Sequence, residues 1–177
     1  GIDNVVANLG TSLTDKQILT LNQFFDDIII CFDGDESGYK AALRAAESAI
    51  KELQPEKKIS FLFLPDNEDP DSFSNKKGKE YFLKYAKDNS IAIHKFIFNH
   101  YSNKTDNNPS SLAIFEKKLR SISNSIKDEF IRKYIIEYFL EKISDLTPYS
   151  NNRSKFKNKK SRSLNSTKKH MDETKSL

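Results

Sequence analysis

Two short, mostly apolar runs stand out in the first half of the chain. Residues 28–32 read Ile-Ile-Ile-Cys-Phe, and residues 59–64 read Ile-Ser-Phe-Leu-Phe-Leu. Runs of this length, rich in β-branched and aromatic side chains and bounded by polar turns, predict strands that are buried on both faces of a sheet. The segment between them has apolar positions at helical spacing, which predict a connecting helix. These positions are Ala42, Ala45, Ala46, Ala49 and Leu53.

The residues before the first run predict a further strand and a helix. Residues 4–8 suit a short strand, and Thr14 with Gln17 three residues later forms a capping-box pattern at a helix start. The buried stripe of that helix is predicted to be Ile18, Leu21, Phe24 and Phe25. The order strand, helix, strand, helix, strand predicts an α/β fold with a parallel sheet, flanking helices and right-handed crossovers.

After Ser72 the pattern changes to helices only. Apolar and aromatic stripes recur to about residue 147, and the longest runs from Ile126 to Ile143 and includes Phe130 and Tyr134. These stripes are typical of core-facing surfaces in a helical subdomain. We therefore predict three parts: a first domain over 1–88, an all-α helical subdomain over 89–147, and a flexible tail over 148–177. His94 and His100 are six residues apart, on nearly opposite helix faces, which indicates structural roles.

The charge is concentrated in that tail. Nine basic and two acidic side chains follow residue 150, so the tail carries +7 while the chain as a whole carries +4. Its few apolar residues cannot bury enough surface to fold, which predicts a disordered basic linker. Contact with nucleic acid phosphates is the alternative, but Phe156 is the only aromatic residue after residue 150, so a stacking platform is lacking.

Two further features of the sequence bear on the cellular location. No apolar stretch approaches the length of a membrane span, so we expect no membrane association. The one cysteine, Cys31, lies within the first apolar run and has no internal partner for a disulfide, which suits a reducing cytosol and a cytoplasmic location. We expect a structural thiol there, because a reactive one needs an exposed, electropositive setting.

Candidate chemistry lies where the two strands end. Asp33-Gly34-Asp35 follows the first strand, and residues 65–72 after the second contain Asp66, Glu68, Asp69 and Asp71. Carboxyl ends of parallel strands share one edge of a sheet, where such folds bind ligands. Two carboxylates at i and i+2 on extended backbone point the same way, and Mg²⁺ is commonly held by one or two carboxylates together with water and substrate phosphate.

Plainer explanations stand beside this one. Asp-Gly-Asp is also ordinary turn chemistry, with side-chain hydrogen bonds and no metal. In the second cluster, Asp71 or Ser72 could serve as the cap of the next helix, with residues 66–69 forming a solvated turn.

Three segments together resemble the Toprim domain of bacterial replicative DNA primases of the DnaG type. They are residues 4–14 (Asn-Val-Val-Ala-Asn-Leu-Gly-Thr-Ser-Leu-Thr), 31–38 (Cys-Phe-Asp-Gly-Asp-Glu-Ser-Gly) and 63–72 (Phe-Leu-Pro-Asp-Asn-Glu-Asp-Pro-Asp-Ser). The resemblance is strong to about residue 80 and architectural to about residue 147. It implies a Toprim-like sheet followed by the helical subdomain of the polymerase core.

The resemblance also implies an activity. Asp33 and Asp35 match the family's catalytic, metal-binding Asp-x-Asp, and Asp69 and Asp71 match a further acidic pair that lines the same crevice. The cofactor would be Mg²⁺ or Mn²⁺. The reaction would be synthesis of short RNA primers from ribonucleoside triphosphates on a single-stranded DNA template, with a replicative helicase as partner.

Some family features are not in this sequence. The family's glutamate on a preceding strand, its amino-terminal zinc-binding domain and its carboxyl-terminal helicase-binding domain have no counterpart here, and there is no zinc-type Cys/His cluster. We expect a fragment whose amino-terminal part lies before Gly1, with zinc bound only in that part, and we expect residues 1–177 alone to make no primers. Two alternatives remain: a fragment of a Toprim nuclease or topoisomerase, and a non-catalytic interaction module.

Overall fold

The structure, a computed structural model, describes residues 4–7, 13–65, 68–106 and 108–146. Its helices and strands follow in chain order: α1 Asp15–Phe24, β1 Asp27–Phe32, α2 Glu36–Ala49, a single 3₁₀ turn Ile50–Glu52, β2 Lys58–Phe63, α3 Pro70–Lys77, α4 Lys79–Asn89, β3 Ile91–Ala92, α5 Ile93–Ser102, α6 Pro109–Asn124 and α7 Glu129–Leu146. The chain divides into two units, Gly1–Phe139 and Leu140–Leu177. Of the second unit the structure describes residues 140–146, the end of α7. The predicted basic tail lies outside the described residues.

The strands form one sheet in the order β1-β2-β3. β1 and β2 are parallel, in register from Asp27 beside Lys58 to Phe32 beside Phe63, and α2 is the crossover between them. This confirms the strand-helix-strand unit predicted from the two apolar runs. β3 pairs antiparallel with β2 over two residues, Ser60 with Ala92 and Phe61 with Ile91. Two residues are too few to leave a periodic signal in the sequence.

The burial of the two parallel strands differs. β2 lies between β1 and β3, and its Phe61 and Leu62 are fully buried. β1 is last in the strand order among the described residues, and Ile29 on it is 42% exposed. The prediction of burial on both faces is therefore confirmed for β2 and wrong for β1. Residues 4–7 form no strand, and the rest of the predicted first strand, Asn8, lies outside the described residues.

The predicted helices are present, but two of their stripes are narrower than predicted. Along α1 the buried residues are Ile18 and Asn22, and Asn22 donates a hydrogen bond to the carbonyl oxygen of Glu52 at 3.1 Å. Phe24 therefore falls off the buried face and is 73% exposed. Along α7, Phe130 and Tyr134 are each 62% exposed, because the buried stripe follows three other positions, one turn apart. These are Ile135, Phe139 and Ile143.

The hydrophobic core forms around α2, β2 and α5. Ala42, Ala46 and Ala49 on α2 are fully buried, which lets this helix pack closely on the sheet. α5 contributes a buried apolar face through Ile93, Phe96 and Ile97. No helix within the described ranges is both long and apolar enough to cross a membrane.

The two histidines of α5 predict a pH dependence of folding stability. Burial, with a smaller contribution from nearby lysines, lowers the pKa of both His94 and His100 below the ordinary 6.5. The unfolded chain then binds more protons than the folded chain as pH falls below about 6.5, so the free energy of unfolding should fall from pH 7.5 to pH 5.5. Urea denaturation at both pH values measures the change. The His94→Gln/His100→Asn variant should show a flatter profile over the same interval, and an equally steep one would contradict the assignment.

Candidate metal centre

The two acidic turns begin side by side because β1 and β2 end in register. Phe32 and Phe63 are paired, and one residue further the amide of Leu64 donates to the carbonyl oxygen of Phe32 at 3.2 Å. Beyond the strands, the amide of Gly34 donates to the carbonyl oxygen of Glu68 at 3.1 Å. The loop that carries Asp33 and Asp35 is thus hydrogen-bonded directly to the loop that leads into Asp69 and Asp71.

Two glycines allow this close approach. A Cβ atom on Gly34 would lie 1.9 Å from the carbonyl oxygen of Pro65, and one on Gly38 would lie 2.3 Å from the carbonyl oxygen of Asp33. Both obstacles are backbone atoms, which cannot rotate away as a flexible side chain could. Backbone packing at the edge of the sheet therefore requires glycine at positions 34 and 38.

Asp35 and Asp69 occupy equivalent positions as helix caps. The Asp35 carboxylate caps α2 and accepts a hydrogen bond from the amide of Gly38 at 2.6 Å. The Asp69 carboxylate caps α3 and accepts from the amide of Ser72 at 2.8 Å, while the Ser72 hydroxyl accepts from the amide of Asp69 at 3.1 Å. The cap of α3 is thus Asp69, with Ser72 completing the box. The sequence alternative had placed the cap at Asp71 or Ser72.

The side chains of Asp33 and Asp71 are both exposed. Within the part of the chain that the structure describes, neither carboxylate has a hydrogen bond or an ion pair. The neighbouring Glu68 differs, because it accepts from Lys76 at 2.7 Å and from the Ser72 hydroxyl at 2.6 Å. The hydrogen bond from Lys76 is the main reason why the pKa of Glu68 lies below its usual value. The charge of Glu68 is thus paired with that of Lys76, whereas the carboxylates of Asp33 and Asp71 have no such partner among the described residues.

The donor chemistry suits a hard divalent cation. All four candidate ligands are carboxylates, and a capping carboxylate that uses one oxygen for a backbone amide keeps its second oxygen for a metal. Among the described residues, no three or more His, Cys, Asp or Glu side chains are gathered closely enough to hold a metal ion. Asp66 lies outside the described residues. Carboxylate donors of this kind suit Mg²⁺ held by one or two of them, with water and phosphate oxygens as the remaining ligands. The assignment of Asp33, Asp35, Asp69 and Asp71 as ligands stays a prediction.

Sequence analysis missed two contributions to this edge. It counted Glu68 among the acids of the second turn, with a solvated turn as the alternative, and did not predict that the Glu68 carbonyl oxygen joins the two loops. It also gave no role to Tyr39, whose hydroxyl is hydrogen-bonded to Nδ1 of His100 at 2.9 Å. These partners are 61 residues apart, and nothing in their local sequence signals the contact.

The thiol of Cys31, two residues before Asp33, should be unreactive in the folded chain. Burial, and secondarily the charge of Asp33, raises the pKa of this thiol from 9.0 to about 12. Because the thiolate is the nucleophile, alkylation of the native chain at pH 8 should be about a thousandfold slower than in denaturant, which is the ratio of thiolate populations. Cys31 is the chain's single cysteine, so mass spectrometry of the alkylated chain reads this site alone. Similar rates in native and denatured chains would contradict the prediction.

The chain is similar in sequence and in fold to known proteins. Residues 1–74 match a protein family described as Toprim-like. The DNA primase of Rickettsia prowazekii is 37% identical over 144 residues, which cover 81% of this chain and 24% of the relative. A crystal structure of a DNA primase domain from Pseudomonas aeruginosa superposes with a TM-score of 0.75 and 31% identity, covering 83% of this chain and 45% of that one. A DnaG primase catalytic domain bound to single-stranded DNA gives a TM-score of 0.69 and 30% identity, covering 75% of this chain and 43% of that one.

The chain spans about a quarter of the length of the curated relative cited above. The matched residues include both acidic turns and continue into the helices after them. Sequence and fold lead to the same conclusion: the matched part of this chain is the Toprim region of the bacterial DnaG-type DNA primases.

Proposed function

We propose that this chain forms the metal-binding edge of a DNA primase, an RNA polymerase that makes short RNA primers on single-stranded DNA by nucleotidyl transfer. The observation that supports this most directly is the hydrogen bond from Gly34 to Glu68, which joins two acid-bearing turns at one edge of the sheet. The relative from Rickettsia prowazekii is a DNA primase, and one similar solved structure is of a primase domain bound to single-stranded DNA. A Toprim nuclease or topoisomerase would use similar acids, but the sequence relative is a primase.

The proposal gives each acidic residue a role. Asp33 and Asp35 are the catalytic carboxylates and bind Mg²⁺ or Mn²⁺, and Asp69 and Asp71 contribute from the second turn. When bound, the metal supplies charge stabilisation to phosphate oxygens and activates the attacking hydroxyl. The chain's own residues orient the carboxylates: Asp35 and Asp69 are fixed by their cap hydrogen bonds, and Gly34 permits the contact between the loops.

Several further features belong to the same proposal. Ribonucleoside triphosphates are the substrates, single-stranded DNA is the template, and a replicative helicase is the partner. Zinc would bind in a separate domain. The cellular location would be the cytoplasm, where a bacterial chromosome is replicated. The division into domains at residues 88 and 147, and the inactivity of residues 1–177 alone, remain predictions.

Conservative substitution of the aspartates should weaken metal binding without unfolding the chain. In Asp35→Asn and Asp69→Asn the caps are retained, because asparagine caps helices about as well as aspartate. When the unchanged chain is titrated with Mg²⁺, the NMR resonances of the amides of residues 33–38 and 68–72 should shift. In Asp33→Asn and Asp35→Asn the dissociation constant should rise by about tenfold or more.

Asp27→Asn is the matched control, because Asp27 is an exposed aspartate at the opposite end of the same strand. This control should bind Mg²⁺ with the same dissociation constant as the unchanged chain. If Mg²⁺ and Mn²⁺ leave residues 33–38 unperturbed, the interaction-module alternative replaces the primase proposal. In the full-length protein, Asp33→Asn should also abolish primer synthesis from ribonucleoside triphosphates on a single-stranded template.

Enlarging Gly34 should separate the two turns. In Gly34→Ala the new methyl group meets the carbonyl oxygen of Pro65, so the loops must move apart. We expect a loss of about 1–3 kcal/mol in the free energy of unfolding, the usual cost of overpacking, together with weaker Mg²⁺ binding. Urea denaturation and the same titration measure both effects. Ser37→Ala, an exposed change three residues away, should leave both quantities nearly unchanged.

A further inference from the structure

Tyr39 lies one helical turn beyond the cap of α2. Its amide donates to the carbonyl oxygen of Asp35 at 3.0 Å, so the backbone of Tyr39 moves with that of Asp35. Its hydroxyl is hydrogen-bonded at 2.9 Å to Nδ1 of His100, which lies on α5 and is only 5% exposed. A side chain that begins next to a candidate ligand is thus anchored in a different helix.

The Tyr39 ring is also held by three other rings. Its centroid lies 5.7 Å from that of Phe63, 5.4 Å from that of Phe96 and 5.6 Å from that of His100. Phe63 is the last residue of β2, immediately before the turn that approaches Gly34. Tyr39 therefore contacts the end of β2 and helix α5 while it belongs to the first full turn of α2.

These contacts restrain how α2 begins. A tyrosine has two side-chain torsions, and both are restricted here by three ring contacts and a hydrogen-bonded hydroxyl, while 37% of the residue is exposed. Because the first turn of α2 is continuous with Asp35, fixing Tyr39 fixes the direction in which the 33–35 turn leaves β1. The hydrogen bond from Gly34 to Glu68 then joins the loop that follows β1 to the loop that follows β2.

We propose that Tyr39 and His100 are positioning residues for the acidic edge. Their hydrogen bond holds the first turn of α2 against α5 and keeps the loop of residues 33–35 aligned with Glu68 and Asp69. What that edge binds rests on the proposed function, whereas the alignment of the loops does not.

Another tyrosine, Tyr101 on α5, provides a matched control. The Tyr101 hydroxyl donates to Glu47 at 2.7 Å, so it also joins α5 to α2, but near the other end of α2. Tyr39→Phe and Tyr101→Phe each delete one hydroxyl from the same pair of helices. A purely structural role for Tyr39 predicts the same consequences from both changes.

The first measurement is hydrogen exchange at the amides of Gly34 and Gly38 in the metal-free chain. These amides donate to Glu68 and to the Asp35 carboxylate, so their protection reports on the edge directly. Tyr39→Phe should accelerate their exchange by about fivefold, the effect of losing about one hydrogen bond, and Tyr101→Phe should not. Equal acceleration in both variants, or none in Tyr39→Phe, would overturn the proposal.

The second measurement is Mn²⁺ affinity by titration. Tyr39→Phe should weaken binding by about fivefold, with Tyr101→Phe close to the unchanged chain. His100→Leu should behave like Tyr39→Phe, and His100→Asn should restore affinity, because an asparagine amide can occupy the place of Nδ1. Failure of His100→Asn to restore either protection or affinity counts against the proposal. If the unchanged chain binds no Mn²⁺, the proposed function fails, and the exchange measurement still decides the positioning role.

Discussion

The parallel pairing of β1 with β2 is the interaction on which the acidic edge depends. Register places Phe32 beside Phe63, so both strands end at the same level. Two further backbone hydrogen bonds, from Leu64 to Phe32 and from Gly34 to Glu68, continue the contact beyond the strands into the turns. Such bonds are directional and short, so a shift of one residue in register would separate the turns. The position of every candidate ligand follows from this alignment.

Helix capping and metal binding by the same aspartates are compatible. Asp35 and Asp69 each give one carboxylate oxygen to a backbone amide at a helix start. The partial positive charge of a helix amino terminus favours a carboxylate there, which stabilises each aspartate at its own helix start. The cap also fixes the orientation of the carboxylate and leaves its second oxygen open. The plain turn-and-cap explanation of these residues therefore describes how they are held and leaves their function open.

An aromatic layer connects this edge to the helices that follow. Phe32, Phe61 and Phe63 on the sheet pack against one another or against Phe96 of α5, and Tyr39 joins them from α2. Rings of this kind bury large areas and pack in few geometries, so they restrain relative movement of the elements they join. A second link between α2 and the later helices is polar, with Glu47 accepting from both Tyr101 and Lys118. Substitutions in α5 and α6 can therefore affect the edge without touching it.

The local sequence determined the elements and the candidate chemistry. Apolar runs at 28–32 and 59–64, the alanine stripe of α2 and the Thr14 capping box all rest on short-range periodicity, and the structure has each of them. The resemblance of the two acidic turns to those of DNA primases could likewise be recognised from a few adjacent residues. Which apolar residues are buried was harder to predict from the sequence. Ile29, Phe24 and Phe130 are apolar whether or not another element covers them. Only the tertiary structure decided that Glu68 meets Gly34, that β3 joins the sheet, and that Tyr39 reaches His100. These contacts join residues far apart in the chain, and their formation depends on how the whole core packs, so no local pattern encodes them.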